Sequence, residues 1–277
     1  MPKTAIFLNH KHPESANLGL QVADHWQKEG GELFLFGEDR VFDPADCSYA
    51  DFSGVDLALV LGGDGTVLAA VNHLAPFGVK ILGINLGNLG FLCEIEKEDL
   101  FPALDRVLAG DFWLEERIML HGSLRRQGEQ LLTYSALNDF IVSSSSKARA
   151  ITLEAFCNEE FIGSYRGDGL LVATPTGSTA YSLSSGGPIL FPDTKALIIN
   201  PVCCHSFFSR PLVVPAAGEI KIICRGEEAL LTADGQQNCY LKQDDLIIIK
   251  KSPHQARLIR LGESRFFATL SRKMGQP

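Results

Sequence analysis

An α/β N-terminal domain built on a parallel sheet, followed by a mostly antiparallel, β-rich and sandwich-like C-terminal domain, is the fold this sequence predicts. Three observations carry it. Through the first hundred or so residues, short apolar runs alternate with helix-period segments, the pattern of buried parallel strands covered by crossover helices. After residue 112 the apolar segments shorten and turn signals crowd together, as antiparallel strands require. The 277 residues, 45% hydrophobic and 21% charged, have ordinary globular composition and are enough to bury roughly three quarters of the unfolded surface without staples.

In chain order, Ala5–Leu8 reads as a short buried strand, and Ser15 as the cap of a helix carrying Leu18, Val22 and Trp26 on one face and ending at Gly30-Gly31. Leu33–Phe36 and Val55–Leu61 are further strands. The second runs into Gly62-Gly63-Asp64-Gly65, after which Thr66–Leu74 reads as helix. Val79–Ile84 is a strand, and Lys97–Leu108 a helix closed by Gly110. Beyond 112, Leu131–Val142, Ile151–Cys157, Leu170–Ala173, Ile220–Cys224 and Leu246–Ile249 are strands. The turns are Arg126–Glu129, Asn158–Glu160, Ala233–Gly235 and Gln243–Asp245. The expected domains are 1–112 and 113–255, with 256–277 completing the first.

The formal charge of −8 argues against general binding to nucleic acid or to an anionic membrane, because no positive field gathers phosphates. Residues 250–277 run against that balance: Lys250, Lys251, Arg257, Arg260, Arg265, Arg272 and Lys273 face one acid, Glu263. A solvated face is the first reading, and a contact with an acidic neighbouring subunit the second. The cysteines form no CxxC pair, and Cys203-Cys204-His205, three adjacent residues, reads as structural rather than as a metal site. With no apolar stretch near the roughly 20 residues of a membrane span, and no leader pattern, the expected location is the cytoplasm.

Four places can carry chemistry. Gly62, Gly63, Gly65 and Thr66 surround Asp64 where a strand meets a helix, the place where open α/β sheets bind ligands and where helix amides meet phosphate. An acid there is a poor anion ligand, so Asp64 is a base for a hydroxyl, a metal contact, or simply the helix cap. Gly87–Leu92 is a second glycine-bearing loop at the same sheet edge. Thr174–Tyr181, rich in hydroxyls, can offer amides and side chains to a polar ligand, with Tyr181 able to pack on a base or sugar. Asn138-Asp139 is a polar pair inside an apolar segment, where one side chain must face the interior or a cleft. Arg149, Arg166 and Asp168 bracket a hairpin, and Asp234-Gly235-Gln236 reads first as a turn.

Together these segments resemble the NAD kinase family over nearly the whole chain. The resemblance rests on Gly-Gly-Asp-Gly-Thr at 62–66, Asn-Leu-Gly-Asn-Leu-Gly-Phe-Leu at 85–92 and Asn-Asp at 138–139. It continues through Asp168-Gly169, Thr174–Tyr181, Gly186-Gly187-Pro188 and Asp234-Gly235-Gln236. Lipid kinases and phosphofructokinases share the first motif, but not the segment at 174–181. The resemblance implies ATP-dependent phosphorylation of the adenosine-ribose 2′-hydroxyl of NAD, with Asp64 as general base. It further implies Asn138 and Asp139 on the adenosine portion; Asp168 with Thr179, Ala180, Tyr181, Ser182, Leu183 and Ser184 at the two ends of NAD; and Gln236 at another binding position. Many relatives carry Glu where this chain has the shorter Asp139. Arg149 and Arg166 are expected binding residues outside the strongest motifs, and Arg166 is expected to bias the choice between NAD and NADH. A divalent cation, Mg²⁺, is expected with ATP, with polyphosphate as an alternative donor, no dedicated protein metal ligands and no tightly bound organic cofactor. A homotetramer is also implied. A non-catalytic NAD(H)-binding regulator is the alternative of a different class.

Overall fold

The structure, a computed structural model, describes residues 2–9, 14–34, 51–87, 90–145, 150–204, 209–226 and 229–275. Its elements in chain order are β1 (Lys3–Leu8), α1 (Ser15–Lys28), β2 (Glu32–Leu33), β3 (Leu57–Gly62), α2 (Asp64–Leu74), β4 (Lys80–Asn85), β5 (Ile95–Glu96) and α3 (Leu100–Leu108). Then come β6 (Trp113–Arg126), β7 (Glu129–Ala136), β8 (Asp139–Ser144), β9 (Ile151–Cys157), β10 (Glu160–Gly167), β11 (Gly169–Ala173) and the one-turn α4 (Tyr181–Ser184). β12 (Ala196–Val202), β13 (Leu212–Pro215), β14 (Ile220–Cys224), β15 (Ala229–Ala233), β16 (Gln237–Leu241), β17 (Leu246–Arg260) and α5 (Phe266–Lys273) complete it. The chain divides into two compact units, one of Met1–Glu116 with Gln255–Pro277, the other of Arg117–His254.

In the first unit, β2, β1, β3 and β4 run parallel, and the end of β17 joins β4 in parallel through Arg257 and Leu258. β1 and β3 read as uninterrupted apolar runs because both faces are covered: every residue of β3 is buried. α1 contributes Leu18, Val22 and Trp26 to the same core as Ile6, Leu59 and Leu82. Two sequence expectations shift here. Ser15 is not the cap: Glu14 holds that position, and the Ser15 hydroxyl donates to the Asn9 carbonyl at 2.7 Å. The helix expected over 97–108 opens as a 3-10 turn, Lys97–Asp99, and becomes α-helical at Leu100. Pro102 then falls in the first turn, where its missing N–H costs nothing. Of the strand expected at Leu33–Phe36, Leu35 and Phe36 lie outside the described residues.

The second unit is a sandwich. One sheet has the order β13-β12-β11-β8-β15-β16; the other contains β10, β9, β14 and the start of β17, with the β6–β7 hairpin. Their facing residues, among them Leu120, Phe140, Val142, Leu153, Leu170, Val172, Leu197, Ile222, Leu231 and Ile247, form one core. The expected turns are present: Gln127 with Gly128, Asn158 with Glu159, and Asp234 with Gly235 have positive φ. One expected strand is wrong. Leu131–Val142 is not continuous but breaks at Leu137-Asn138, with β7 paired to β6 and β8 paired to β11 and β15 in the other sheet. Among the described residues no helix is long and apolar enough to cross a membrane.

Candidate active site

β3 ends at Gly62, and α2 begins two residues later with Asp64 as its first residue and Gly63 as its cap. A side chain at Gly62 would lie 2.2 Å from Thr66 Oγ1, so glycine is what lets the helix start this close to the strand. The Thr66 and Val67 amides return to the Gly63 carbonyl at 2.9 and 3.2 Å, which winds the first turn. Leu86 N–H donates to the Gly62 carbonyl at 3.1 Å and ties the second glycine loop to the first. Asn85 shapes that second loop, accepting from Gly87 N–H at 3.2 Å and donating to its carbonyl at 2.7 Å. Asn88 and Leu89 lie outside the described residues.

The Asp64 carboxylate is half-buried and grips the far side of the second loop. Oδ2 accepts Phe91 N–H at 2.8 Å, and Oδ1 accepts Leu92 and Cys93 N–H at 3.1 and 3.3 Å. A Cβ on Gly90 would stand 1.9 to 2.0 Å from the same carboxylate, so the loop needs glycine there. The helix cap expected as one role of Asp64 belongs to Gly63, and Asp64 instead caps a distant loop. Cys93 is no nucleophile: burial first, then the Asp64 charge, pushes its thiol strongly up.

A buried ion cluster lies behind that loop. Arg260, at the end of β17, is 8% exposed, and its guanidinium donates to Glu115 Oε2 at 2.7 Å and Glu94 Oε2 at 3.1 Å. It also donates to the carbonyls of Phe91 and Leu92, both at 3.2 Å. Arg260 corrects the reading of residues 250–277 as one solvated face. It was missed because it belongs to a basic run; the signal that could have found it is its seat between Ile259 and Leu261, an arginine inside an apolar strand. The same unit holds a cavity of about 510 Å³ lined by Glu94, Asp99, Arg106, Arg265 and Arg272. Asp64 does not line it, and Arg106 and Arg272 already have the acids Asp111 and Glu96 as partners.

In the second unit the Leu137–Asn138 corner is held by Asp234. Its Oδ2 accepts Leu137 N–H at 2.8 Å, and its Oδ1 accepts Asn138 and Asp139 N–H at 2.7 and 3.2 Å. So Asp234 does more than open a hairpin: it turns the chain from one sheet into the other. Asp139 is 5% exposed beside it, and burial, then the Asp234 charge, pushes its carboxyl up from 3.8 to about 7. Asn138 precedes the strand and stays half-exposed.

The hydroxyl-rich segment after β11 uses most of its side chains internally. Thr174 donates to the Leu137 carbonyl at 2.6 Å and accepts Gly177 N–H at 3.1 Å. Ser178 accepts Leu190 N–H at 2.7 Å, and Ser182 is buried against Asn200, whose amide donates to the Ser182 carbonyl at 3.0 Å. Leu190 packs with Ile141, Leu171 and Ile198 on the outer face of the six-stranded sheet, so this segment is that face's cover. Thr179, Ala180 and Leu183 are half-buried, and Tyr181 and Ser184 are exposed.

β8 and β11 separate the remaining candidates. Asp139 pairs with Ala173 at one end, where Asn138, Thr174 and, through the Asp234 turn, Gln236 gather. Gly169 pairs with Ser143 at the other end, beside exposed Asp168; Arg166 is exposed on β10, opposite Thr152. The two ends are four residue steps apart along β11, about 13 Å. At the Asp168 end the Cys203 thiol donates to the carboxylate, which pushes the thiol up. Arg149 lies outside the described residues. Among the described residues no group of three or more His, Cys, Asp and Glu is gathered to hold a metal ion.

The chain as a whole has relatives among known proteins. The family model described as the ATP-NAD kinase N-terminal domain matches residues 41–112, and that of the ATP-NAD kinase C-terminal domain matches 137–261. The NAD kinase of Heliobacterium modesticaldum is 42% identical over 283 residues, covering 100% of this chain and 99% of the relative. A crystal structure of an NAD kinase from Archaeoglobus fulgidus in complex with ATP aligns with a TM-score of 0.76 at 25% identity, covering 99% of this chain and 98% of the other. A yeast NADH kinase complexed with NADH shares the fold, with a TM-score of 0.88 at 22% identity over 99% of this chain and 88% of that one. Matched in both halves and along its full length, this chain belongs to the NAD kinase family.

Proposed function

We propose that the chain transfers the γ-phosphoryl group of ATP to the 2′-hydroxyl of the adenosine ribose of NAD, giving NADP and ADP, with Asp64 as general base. The observation that carries this reading is the Asp64 carboxylate, fixed by three consecutive amides at the start of α2 and at the carboxyl end of a central parallel strand. The amides of residues 91–93, together with the Cys93 thiol, hold the carboxylate in one orientation while it stays half-exposed, where a hydroxyl can reach it. In the reaction the ribose hydroxyl gives its proton to Asp64 while its oxygen bonds to the γ-phosphorus, and the bond to the β–γ bridging oxygen breaks. Base catalysis of this kind is worth about 10²–10⁴ in rate. Alignment of the reacting oxygens and neutralisation of phosphate charge supply the rest.

The turn that opens α2 is suited to phosphate because its glycines let the backbone approach closely and the helix dipole is positive at that end, although the Thr66 amide itself is spent on the Gly63 carbonyl. Mg²⁺ is carried on the ATP phosphates as part of that substrate, where it offsets their negative charge. In the second unit, Asn138 and Asp139 take the adenosine portion of the dinucleotide, Gln236 adds a contact from the same end, and Asp168, Arg166, Arg149 and residues 179–184 serve its other contacts. The working form is a cytoplasmic homotetramer. Sedimentation at assay concentration tests the assembly, and a fully active monomer would overturn it.

The direct test of the reaction is incubation of the chain with NAD and MgATP, with the product analysed for 2′-phosphorylated NAD. NADP is the expected product. A folded protein that binds NAD without turnover would instead be a regulator of the NAD(H)-binding kind.

A further inference from the structure

We propose that Arg260 is a positioning residue for Asp64, acting through the two peptide groups that join Phe91 to Leu92 and Leu92 to Cys93. The N–H and C=O of a trans peptide point in opposite directions. In the first of these peptides the Leu92 N–H donates to Asp64 Oδ1 at 3.1 Å, and the Phe91 carbonyl accepts from Arg260 at 3.2 Å. In the second, Cys93 N–H donates to the same oxygen at 3.3 Å, and the Leu92 carbonyl accepts from Arg260 at 3.2 Å. Two successive peptide planes thus stand between a guanidinium and a carboxylate, each bonded on both sides.

Only arginine offers this arrangement, because its planar fork reaches two carbonyls and two carboxylates at once while a lysine ammonium is a single point. The fork is itself held in place. Glu115 takes Nε at 2.7 Å, and Glu94 takes Nη1 at 3.1 Å while its other oxygen accepts Leu261 N–H at 2.8 Å. A buried ion cluster contributes little to stability beyond what apolar packing would give, so this one is better explained by what it orients. Charge on the carbonyl side polarises each peptide and strengthens the N–H on the other side, which fixes both the place and the hydrogen bonding of Asp64. All of these residues belong to the first unit.

The inference rests on Asp64 as base, and the test separates the two. NADP formation is measured over a range of NAD and MgATP concentrations, to give kcat and both KM values, for wild type, Arg260→Lys, Asp64→Asn and the double variant. Arg260→Lys is expected to lower kcat by about tenfold or more and leave both KM values within about threefold, and to change the residual rate of Asp64→Asn by less than about twofold. The same loss in both backgrounds, or a loss confined to KM, would overturn the role of Arg260 and leave that of Asp64 standing. Wild-type kcat in Asp64→Asn would overturn both. Should Arg260→Lys show no cooperative unfolding transition, Glu115→Gln, which keeps the guanidinium but loosens it, goes through the same cycle with the same criteria.

Discussion

Asp64 and Asp234 each clasp a loop through three backbone amides, in different units, and comparing them shows how the proposed base differs from an architectural carboxylate. Each accepts three consecutive backbone amides, with one oxygen taking the first and the other taking the next two. Asp234 is 8% exposed, and its loop is a corner between two sheets, beside a second buried acid, Asp139. Asp64 is half-buried at a helix start, and its loop is braced from behind by a buried arginine. The shared clasp orders a loop in both cases. Exposure and the sign of the neighbouring charge decide what else each can do.

The comparison can be broken most sharply at Gly90. A Cβ there would overlap the Asp64 carboxylate, so Gly90→Ala is expected to cost about a hundredfold in kcat, the usual penalty for a reacting group displaced by an ångström. The enzyme should remain folded, and steady-state kinetics beside a thermal melt would show it; unchanged kcat would mean that the clasp does not matter to turnover. At Asp234 the expectation reverses. Asp234→Asn places an amide against backbone donors and should cost about 2 kcal/mol in denaturant unfolding.

Asp139 gives a smaller effect with a definite sign. Its carboxyl is raised from 3.8 to about 7, so the folded state holds the proton more tightly than the unfolded chain does. Its contribution to stability is therefore complete below 3.8 and is lost as pH rises through about 7. Asp139→Asn should flatten that decline in urea unfolding measured across the interval; an unchanged slope would assign the decline to other groups. The smallest effect is expected at exposed Arg166, where Arg166→Gly should shift the NAD to NADH rate ratio by a few-fold without changing stability. An unchanged ratio would remove Arg166 from redox selectivity.

How much of this was legible in the sequence follows from the range of the interactions. Buried parallel strands write themselves as apolar runs, so β1, β3 and β4 and the Gly62–Thr66 turn were readable locally. The sheet change at Leu137-Asn138 was not, because both flanking strands are apolar and the residue that turns the chain, Asp234, lies nearly a hundred positions away. The segment at 174–181 could be recognised as unusual, yet its hydroxyls read as ligand groups when Thr174 and Ser178 are fully buried structural ones. Arg260 was hidden in a basic run, and only its neighbours in space reveal its role.

One measurement tests the central claim most directly: kcat per folded molecule and unfolding free energy for Asp64→Asn and Asp234→Asn, side by side. The account expects Asp64→Asn to lose two or more orders of magnitude in kcat with modest loss of stability. It expects Asp234→Asn to lose stability while each folded molecule stays within a few-fold of wild-type kcat. Equal loss of kcat in both, or an active Asp64→Asn, would contradict it.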